Sequence, residues 1–227
     1  KYQECHDSDT IRIISFSGGL IMFCSNYEAL ESALTKRGFI VHSVKDAEEA
    51  RQLAFSLIKK DESVGFGGSV TVQNDLDLYN RLSERGNKVH SHWYASDRSR
   101  AQDDAGKANW YLASTNALLS DGRLVNIDGT GNRVASMIIG PEKVMLFIGK
   151  NKFVDGGLDD GIARIKRETC PPNARRLKLD KLPCGITGHC ADCNTEQRMC
   201  RVTTIIEYPT RAIKEFHLVL IDEDLGR

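Results

Sequence analysis

Four cysteines near the C-terminal end are the residues whose type and spacing most clearly predict chemistry. Cys184, Cys190, Cys193 and Cys200 are spaced C-x5-C-x2-C-x6-C. Thiolates held this closely repel one another unless a soft cation neutralises them, so the pattern predicts an iron–sulfur cluster, with zinc as the alternative cofactor. Chance clustering at the surface and disulfide pairing are the other interpretations that the spacing leaves open.

A glycine-rich segment, VGFGGSVT from Val64 to Thr71, is a candidate anion-binding loop. Gly67 and Gly68 would let the main chain approach an anion closely, and Ser69, Thr71 and the following helix N-terminus would supply donors to a phosphate or carboxylate. The segment matches neither the dinucleotide-binding nor the P-loop fingerprint. A glycine turn that serves only close packing is therefore the alternative.

Hydrogen-bonding side chains cluster between residues 114 and 133, at the ends of apolar segments. In open α/β sheets, strand ends are where ligand crevices form. The candidate ligand-binding residues of this stretch are Thr115, Asn116, Asn126, Asp128, Gly129, Gly131, Asn132 and Arg133. Asn126 and Asn132 could equally serve only to shape turns or to cap a helix.

Asp128 is the candidate catalytic residue. It lies between the apolar Ile127 and Gly129, close in sequence to the polar cluster. A carboxylate in such a place could act as a general base or could hold a substrate hydroxyl.

Two basic segments favour an anionic ligand. Lys150 and Lys152 directly follow a predicted strand, and Asn173 and Arg176 follow the pair Pro171–Pro172. A guanidinium in such a place could bind a carboxylate with two hydrogen bonds. Plain solvation of these side chains is the alternative.

Strands alternating with helices must position these groups. The pattern predicts strands at Phe39–Val44, Ser63–Phe66, Lys88–His92, Trp110–Ala113 and Val144–Gly149, a hairpin within Leu118–Ile127, and closing strands at Thr203–Glu207 and Glu215–Ile221. It also predicts a helix capped by Asp46, one continuous helix carrying Val72, Leu76, Tyr79 and Leu82, a polar helix through Asp97–Asn109, and a helix Leu158–Glu168 that Pro171–Pro172 ends. This alternation indicates an α/β fold with a mostly parallel sheet covered on both faces.

We expect an α/β domain at 25–180, with residues 181–227 adding the cysteine-bearing metal loop and the closing strands of the same domain. No role is assigned to residues 1–24. The pattern of Ile11–Cys24 is more typical of a buried strand and turn than of a signal peptide or an acylation site.

Composition excludes several function classes. The chain has 31 basic and 31 acidic residues among its 227, so no global field attracts nucleic acid or an acidic membrane surface. No apolar run is long enough to span a bilayer, and we expect no membrane insertion. Seven cysteines, mostly in one metal-like cluster, favour the reducing cytoplasm.

Together, these segments resemble the LUD (lactate utilisation) domain family. The residues that carry the resemblance are Val64–Ser69, Thr115–Ala117, Asp121–Arg133, Gly140–Pro141, Gly149–Lys152 and Asn173–Arg176. The resemblance extends from about Asn26 to the end, and the run from Cys184 to Cys193 with Cys200 resembles the cysteine-bearing tail of the stand-alone branch of that family.

The resemblance implies a three-layer Rossmann-like fold similar to ribose-phosphate isomerases, glucosamine-phosphate deaminases and CoA transferases. It also implies an iron–sulfur accessory or redox component in the oxidation of lactate to pyruvate, with a small anionic metabolite, a carboxylate or a phosphate, as ligand. Redox protein partners and a homo-oligomer are compatible with this redox function. The ferredoxin-like cysteine runs of larger family members are absent from the sequence.

Two other functions stay open at this point. One is an enzyme similar to sugar-phosphate isomerases or CoA transferases, with Asp128 as the base. The other is a regulatory or binding module whose cysteines hold structural zinc.

Overall fold

Two short strands begin the part of the chain that the structure, a computed structural model, describes, namely residues 13–16, 19–22 and 27–227. Strand β1 (Ile13–Phe16) pairs antiparallel with β2 (Gly19–Met22). The strand predicted within Ile11–Cys24 is thus present as two strands. Residues 1–12, 17–18 and 23–26, which include the predicted turn and Cys24, lie outside the described residues.

A six-stranded sheet forms the centre of the molecule. Its strands are β3 (Ile40–Val44), β4 (Val64–Phe66), β5 (Val89–Ser91), β6 (Trp110–Ala113), β9 (Lys143–Gly149) and β12 (Glu215–Ile221). They lie in the order β3-β12-β9-β6-β4-β5, and every neighbouring pair is parallel. The predicted mostly parallel sheet and all six of its strands are confirmed.

Helices cover both faces of this sheet because its strands are apolar on both sides. Val219 and Ile221 of β12 pack into one core with helices α2 (Ala47–Leu57) and α3 (Leu78–Arg85). Leu218 and Leu220 pack into the other core. That core also holds apolar residues of α1 (Glu28–Lys36), α4 (Arg98–Ala105) and α5 (Asn132–Ile138). The fold is therefore the predicted three-layer α/β arrangement, and Asp46 caps α2 as expected by accepting bonds from two backbone N–H groups.

A smaller four-stranded sheet packs beside the first. It consists of β7 (Ala117–Leu119), β8 (Leu124–Asp128), β10 (Phe153–Val154) and β11 (Val202–Ile206), in the order β10-β7-β8-β11. The predicted hairpin is the antiparallel pair β7–β8, whose turn places Gly122 at a φ of +86°. The first predicted closing strand is confirmed as β11, but it pairs with β8 in this second sheet.

Two helix predictions were wrong in their extent. The continuous helix after β4 is a π-helical turn (Thr71–Asp75) followed by α3, because Asp77 adopts a left-handed φ of +49° between them. The polar helix α4 is capped by Asp97 but ends at Ala105 instead of continuing to Asn109.

The prediction that Pro171–Pro172 ends the helical region was also wrong. Helix α6 (Leu158–Arg164) continues through a π-helical turn (Ile165–Thr169) into α7 (Cys170–Arg176). Both prolines lie in the first turn of α7, where their missing N–H groups cost nothing. Asn173 and Arg176 are therefore helical, and the cysteine segment that follows contains a short helix, α8 (Pro183–Thr187).

Within the described residues, no helix is long and apolar enough to cross a membrane.

Candidate functional site

A cleft of about 420 Å³ opens at the C-terminal ends of β4, β5, β6 and β9. The chain leaves each of these strands into a segment that lines the cleft. These segments carry Gly68 and Ser69 after β4, His92 and Trp93 after β5, Ser114 to Asn116 after β6, and Lys152 after β9. The carboxyl edge of a parallel sheet collects such loops, so the sheet order brings together groups that are far apart in sequence.

Most of the predicted ligand-binding residues line this cleft. They are Gly68, Ser69, Thr115, Asn116, Asp128, Gly129, Asn132, Arg133, Lys152, Asn173 and Arg176. Gly67, Asn126, Gly131 and Lys150 are not among the lining residues. Gly67 instead packs under the site, where a Cβ would meet the Tyr111 hydroxyl at 3.0 Å.

Arg133 holds the loops of the cleft together. Its Nη1 donates to the Ser114 carbonyl at 2.8 Å and to Asn126 Oδ1 at 2.6 Å. Its Nη2 donates to Asn116 Oδ1 at 2.9 Å and to the Ile127 carbonyl at 3.2 Å. Both terminal nitrogens of the buried guanidinium thus donate to protein acceptors, and the group contributes a fixed positive charge beside the cleft.

Lys152 is the most deeply buried cation of the cleft, with 2% of its surface exposed. Its Nζ donates to Thr71 Oγ1 at 2.7 Å and to Ser114 Oγ at 2.8 Å. Burial, with the nearby charges of Arg164 and Arg133, lowers the pKa of Lys152 to about 7.

The Asp128 carboxylate lines the cleft but is also held by the backbone. Its Oδ1 accepts from Gly129 N–H at 3.1 Å and its Oδ2 from Val134 N–H at 3.2 Å, in the first turn of α5. Arg133 Nε lies 3.9 Å from Oδ2. The carboxylate therefore orders the start of α5, and a catalytic role stays a prediction.

Several lining residues were missed by the sequence reasoning. They include His92, Trp93, Ser114, Cys170, Arg198, Met199, Arg201 and Arg227, whereas Thr71, expected as a donor beside Ser69, does line the cleft. The position directly after a predicted strand could have indicated Ser114 and Trp93, whereas His92 was placed inside the predicted strand, although β5 ends at Ser91. No signal pointed to Cys170, because it lies far before the closely spaced cysteines that begin at Cys184.

The predicted metal-binding cysteines surround a second, much smaller cavity of about 20 Å³. Cys184, Cys190, Cys193 and Cys200 line it together with Cys170. All five thiols are free. In the described part of the chain, no three or more His, Cys, Asp or Glu side chains are arranged as a ready set of metal ligands.

Cys170 and Cys200 are in direct contact within this thiol cluster, with their Sγ atoms 3.3 Å apart. The hydrogen bond from Cys170, with the nearby Arg198 and Lys166, lowers the pKa of Cys200 to about 7. The same hydrogen bond and burial raise the pKa of Cys170. A thiolate at Cys200 is the form that a soft metal requires.

The two cavities share a wall. Cys170, Arg198, Met199 and Cys200 line both the larger cleft and the thiol cavity. Arg198 fixes this wall by donating to the carbonyls of Cys193 and Cys200. A ligand in the cleft would therefore lie next to the thiol cluster.

Comparisons with known proteins give one family and one solved structure. A family model described as LUD domain matches residues 27–221. No curated protein matches the chain significantly. The chain is similar to the crystal structure of a DUF162 family protein from Deinococcus radiodurans, with 10% sequence identity and a TM-score of 0.48. That match covers 85% of this chain and 94% of that chain.

Proposed function

Because the chain belongs to the LUD domain family, we propose that it is a lactate-utilisation protein that binds a small carboxylate in the cleft beside an iron–sulfur centre. Family membership supports a role in lactate utilisation at the level of the family. The carboxylate ligand is proposed from the charges that line the cleft. The iron–sulfur centre is proposed from the thiols of the cysteine segment.

The observation that carries the proposal is the charge of the cleft. One carboxylate side chain, that of Asp128, lines the described cleft, against six basic side chains. These are Arg133, Lys152, Arg176, Arg198, Arg201 and Arg227. Because the whole chain has a formal net charge of zero, this local excess is a property of the site and favours a small anion.

Arg176 is the guanidinium best placed to bind the anion. It lines the cleft, packs over the Trp93 ring at 5.0 Å, and its Nε and Nη2 donate to Asn173 Oδ1. These contacts fix its position and leave Nη1 without a hydrogen-bond partner among the described residues. A guanidinium held in this way can bind a carboxylate at little cost in conformational entropy.

The thiol cluster fits a soft metal in its donor chemistry. Cys184, Cys190, Cys193 and Cys200 would hold the group, with Cys170 as an additional thiol on the side of the cleft. An iron–sulfur cluster supplies one-electron transfer when bound. The residues of the chain provide the thiolates, and Lys166 and Arg198 offset part of their charge.

Calorimetric titration with lactate, pyruvate and phosphate tests the anion site. We expect carboxylate binding that Lys152→Met weakens by about 1.5–3 kcal/mol, the scale for losing a hydrogen bond to a charged group. Lys150→Met is the matched control, because Lys150 pairs with Asp222 outside the cleft. Equal affinity in all three proteins would contradict the proposal.

Anaerobic purification followed by iron, sulfide and zinc analysis tests the metal. Iron with acid-labile sulfide supports the redox function. One tightly bound zinc without iron would favour a regulatory or binding module instead.

Asp128 favours a second candidate function, an isomerase-like or CoA-transferase-like activity with this carboxylate as base, because it is the carboxylate side chain facing the cleft. Turnover of a sugar phosphate or a CoA thioester that Asp128→Asn abolishes would support it. Carboxylate binding without such turnover favours the first proposal.

A further inference from the structure

Lys152 is surrounded by groups that leave its amine without a counter-charge. Its Nζ is bonded to two hydroxyls, those of Thr71 and Ser114. Among the described residues, no carboxylate lies within ion-pairing distance of it, although buried lysines are normally paired. A buried amine that contacts hydroxyl groups alone is an unusual arrangement for a lysine whose role is purely structural.

The charges facing Lys152 from the neighbouring elements oppose its protonation. Arg133 of α5 and Arg164 of α6 are the cations that act on it, and Asp75 is the carboxylate that acts on it. Both guanidiniums are fixed by main-chain carbonyls, Arg164 by those of Asn116 and Asn151.

The Asp75 carboxylate is hydrogen-bonded to a different group, because its Oδ2 accepts the Gly226 N–H at 2.6 Å. Burial, together with these fixed positive charges, therefore lowers the pKa of Lys152 to about 7, so a substantial share of the amine is neutral near pH 7 and can act as a nucleophile.

The same cleft provides a place for a carboxylate. Lys152 and Arg176 both line it, and Ser114 links Lys152 to Arg133 through its hydroxyl and its carbonyl. An amine nucleophile recognises a carbonyl carbon, and guanidiniums recognise a carboxylate. A 2-oxo acid carries both groups on adjacent carbons.

We propose that Lys152 captures a 2-oxo acid in the cleft as a reversible imine, an inference that rests on the proposed function. The neutral amine adds to the C2 carbonyl, and the oxygen takes up protons and leaves as water while nitrogen gives up its two hydrogens. One carbon–nitrogen double bond replaces one carbon–oxygen double bond, with no change in oxidation state. The Thr71 and Ser114 hydroxyls lie where they can relay these protons.

Reductive trapping tests the inference. The full-length protein is incubated with pyruvate and sodium cyanoborohydride, and the adduct is located by peptide mass mapping. We expect one reduced pyruvate adduct at Lys152, lost in Lys152→Met and retained in Lys150→Met. Mapping on the wild-type protein identifies the site even if Lys152→Met does not fold.

Two further probes, lactate and acetone, separate this inference from the proposed function. Lactate has the carboxylate without the C2 ketone carbonyl, so it should protect Lys152 from pyruvate without being trapped. Acetone has the carbonyl without the carboxylate, so it should be trapped far less.

Calorimetric binding of pyruvate without any adduct, or adducts spread evenly over exposed lysines, would overturn the imine and leave the anion site intact. Absence of both binding and adduct would overturn the proposed function as well.

Discussion

Lys150 and Lys152 lie two positions apart but in opposite surroundings. The Lys150 side chain is 46% exposed and pairs with Asp222, whereas Lys152 is buried beside Thr71 and Ser114. The sequence predicted both as ligand-binding residues, because each follows the same apolar strand. It could not separate them, since the choice depends on how the 3₁₀ turn after β9 rotates the two side chains.

The lowered pKa of Lys152 predicts a pH-dependent stability. The unfolded chain holds the Lys152 proton up to about 10.5, whereas the folded chain releases it near 7. Folding therefore releases a proton between these values, so the free energy of unfolding should rise with pH across this window. The limit is about 1.4 kcal/mol per pH unit for one proton.

The measurement is denaturant unfolding of wild type and Lys152→Met from pH 7 to 10, in buffers without carboxylate or phosphate. The difference between the two proteins isolates this lysine from the cysteines, which ionise in the same range. We expect the wild type to gain stability relative to the variant as pH rises. A constant difference would mean that the folded chain keeps the proton.

At the scale of elements, strand order determines the site. The correctly predicted strands β4, β6 and β9 place the glycine loop, residues 114–116 and Lys152 at one edge of the sheet, so much of the cleft followed from the sequence. Asn173 and Arg176 of α7 were predicted to bind the ligand, but their helical placement did not follow, because Pro171–Pro172 was expected to end a helix and instead lies in the first turn of α7. That error also concealed Cys170.

Gly65 of β4 determines how closely α4 packs on the sheet. A Cβ at this position would collide with the Ala105 backbone, which cannot move as a flexible side chain could. We expect Gly65→Ala to lower the free energy of unfolding by about 3 kcal/mol, the upper part of the range for overpacking. Denaturant unfolding of the purified variant measures it.

Gly131→Ala is the matched control for Gly65→Ala. Gly131 has a φ of +89° and no atom within 4 Å of an added Cβ, so only conformational strain of about 1 kcal/mol should appear. Similar losses in the two variants would show that α4 shifts to accommodate the methyl group.

At the scale of the whole molecule, the thiol cluster lies apart from the main cores. The two faces of the central sheet carry the large apolar clusters, while Ala174, Leu182 and Cys184 form a small cluster under the cysteine segment and Cys170 and Cys200 pack against β7 and β8 of the smaller sheet. Composition could predict neither this separation nor the cationic cleft, because a formal net charge of zero conceals where the charges lie. Both features depend on which loops the sheet brings together.

This separation predicts that metal loss loosens the cysteine segment and leaves the sheet intact. Cys193→Ser removes one of the proposed ligands, so iron and sulfide content should fall after anaerobic purification. Hydrogen exchange should accelerate in residues 178–201, where few apolar contacts oppose opening, while amides of β9 and β12 keep their protection.

Wild-type protein stripped of metal by a chelator is the control for Cys193→Ser, because it has the native thiol and lacks only the metal. Its exchange pattern should match that of the variant. Full iron content in Cys193→Ser would remove this residue from the ligand set. Loss of protection throughout β9 and β12 would show instead that the thiol segment and the central sheet unfold as one unit, since independent cores exchange independently.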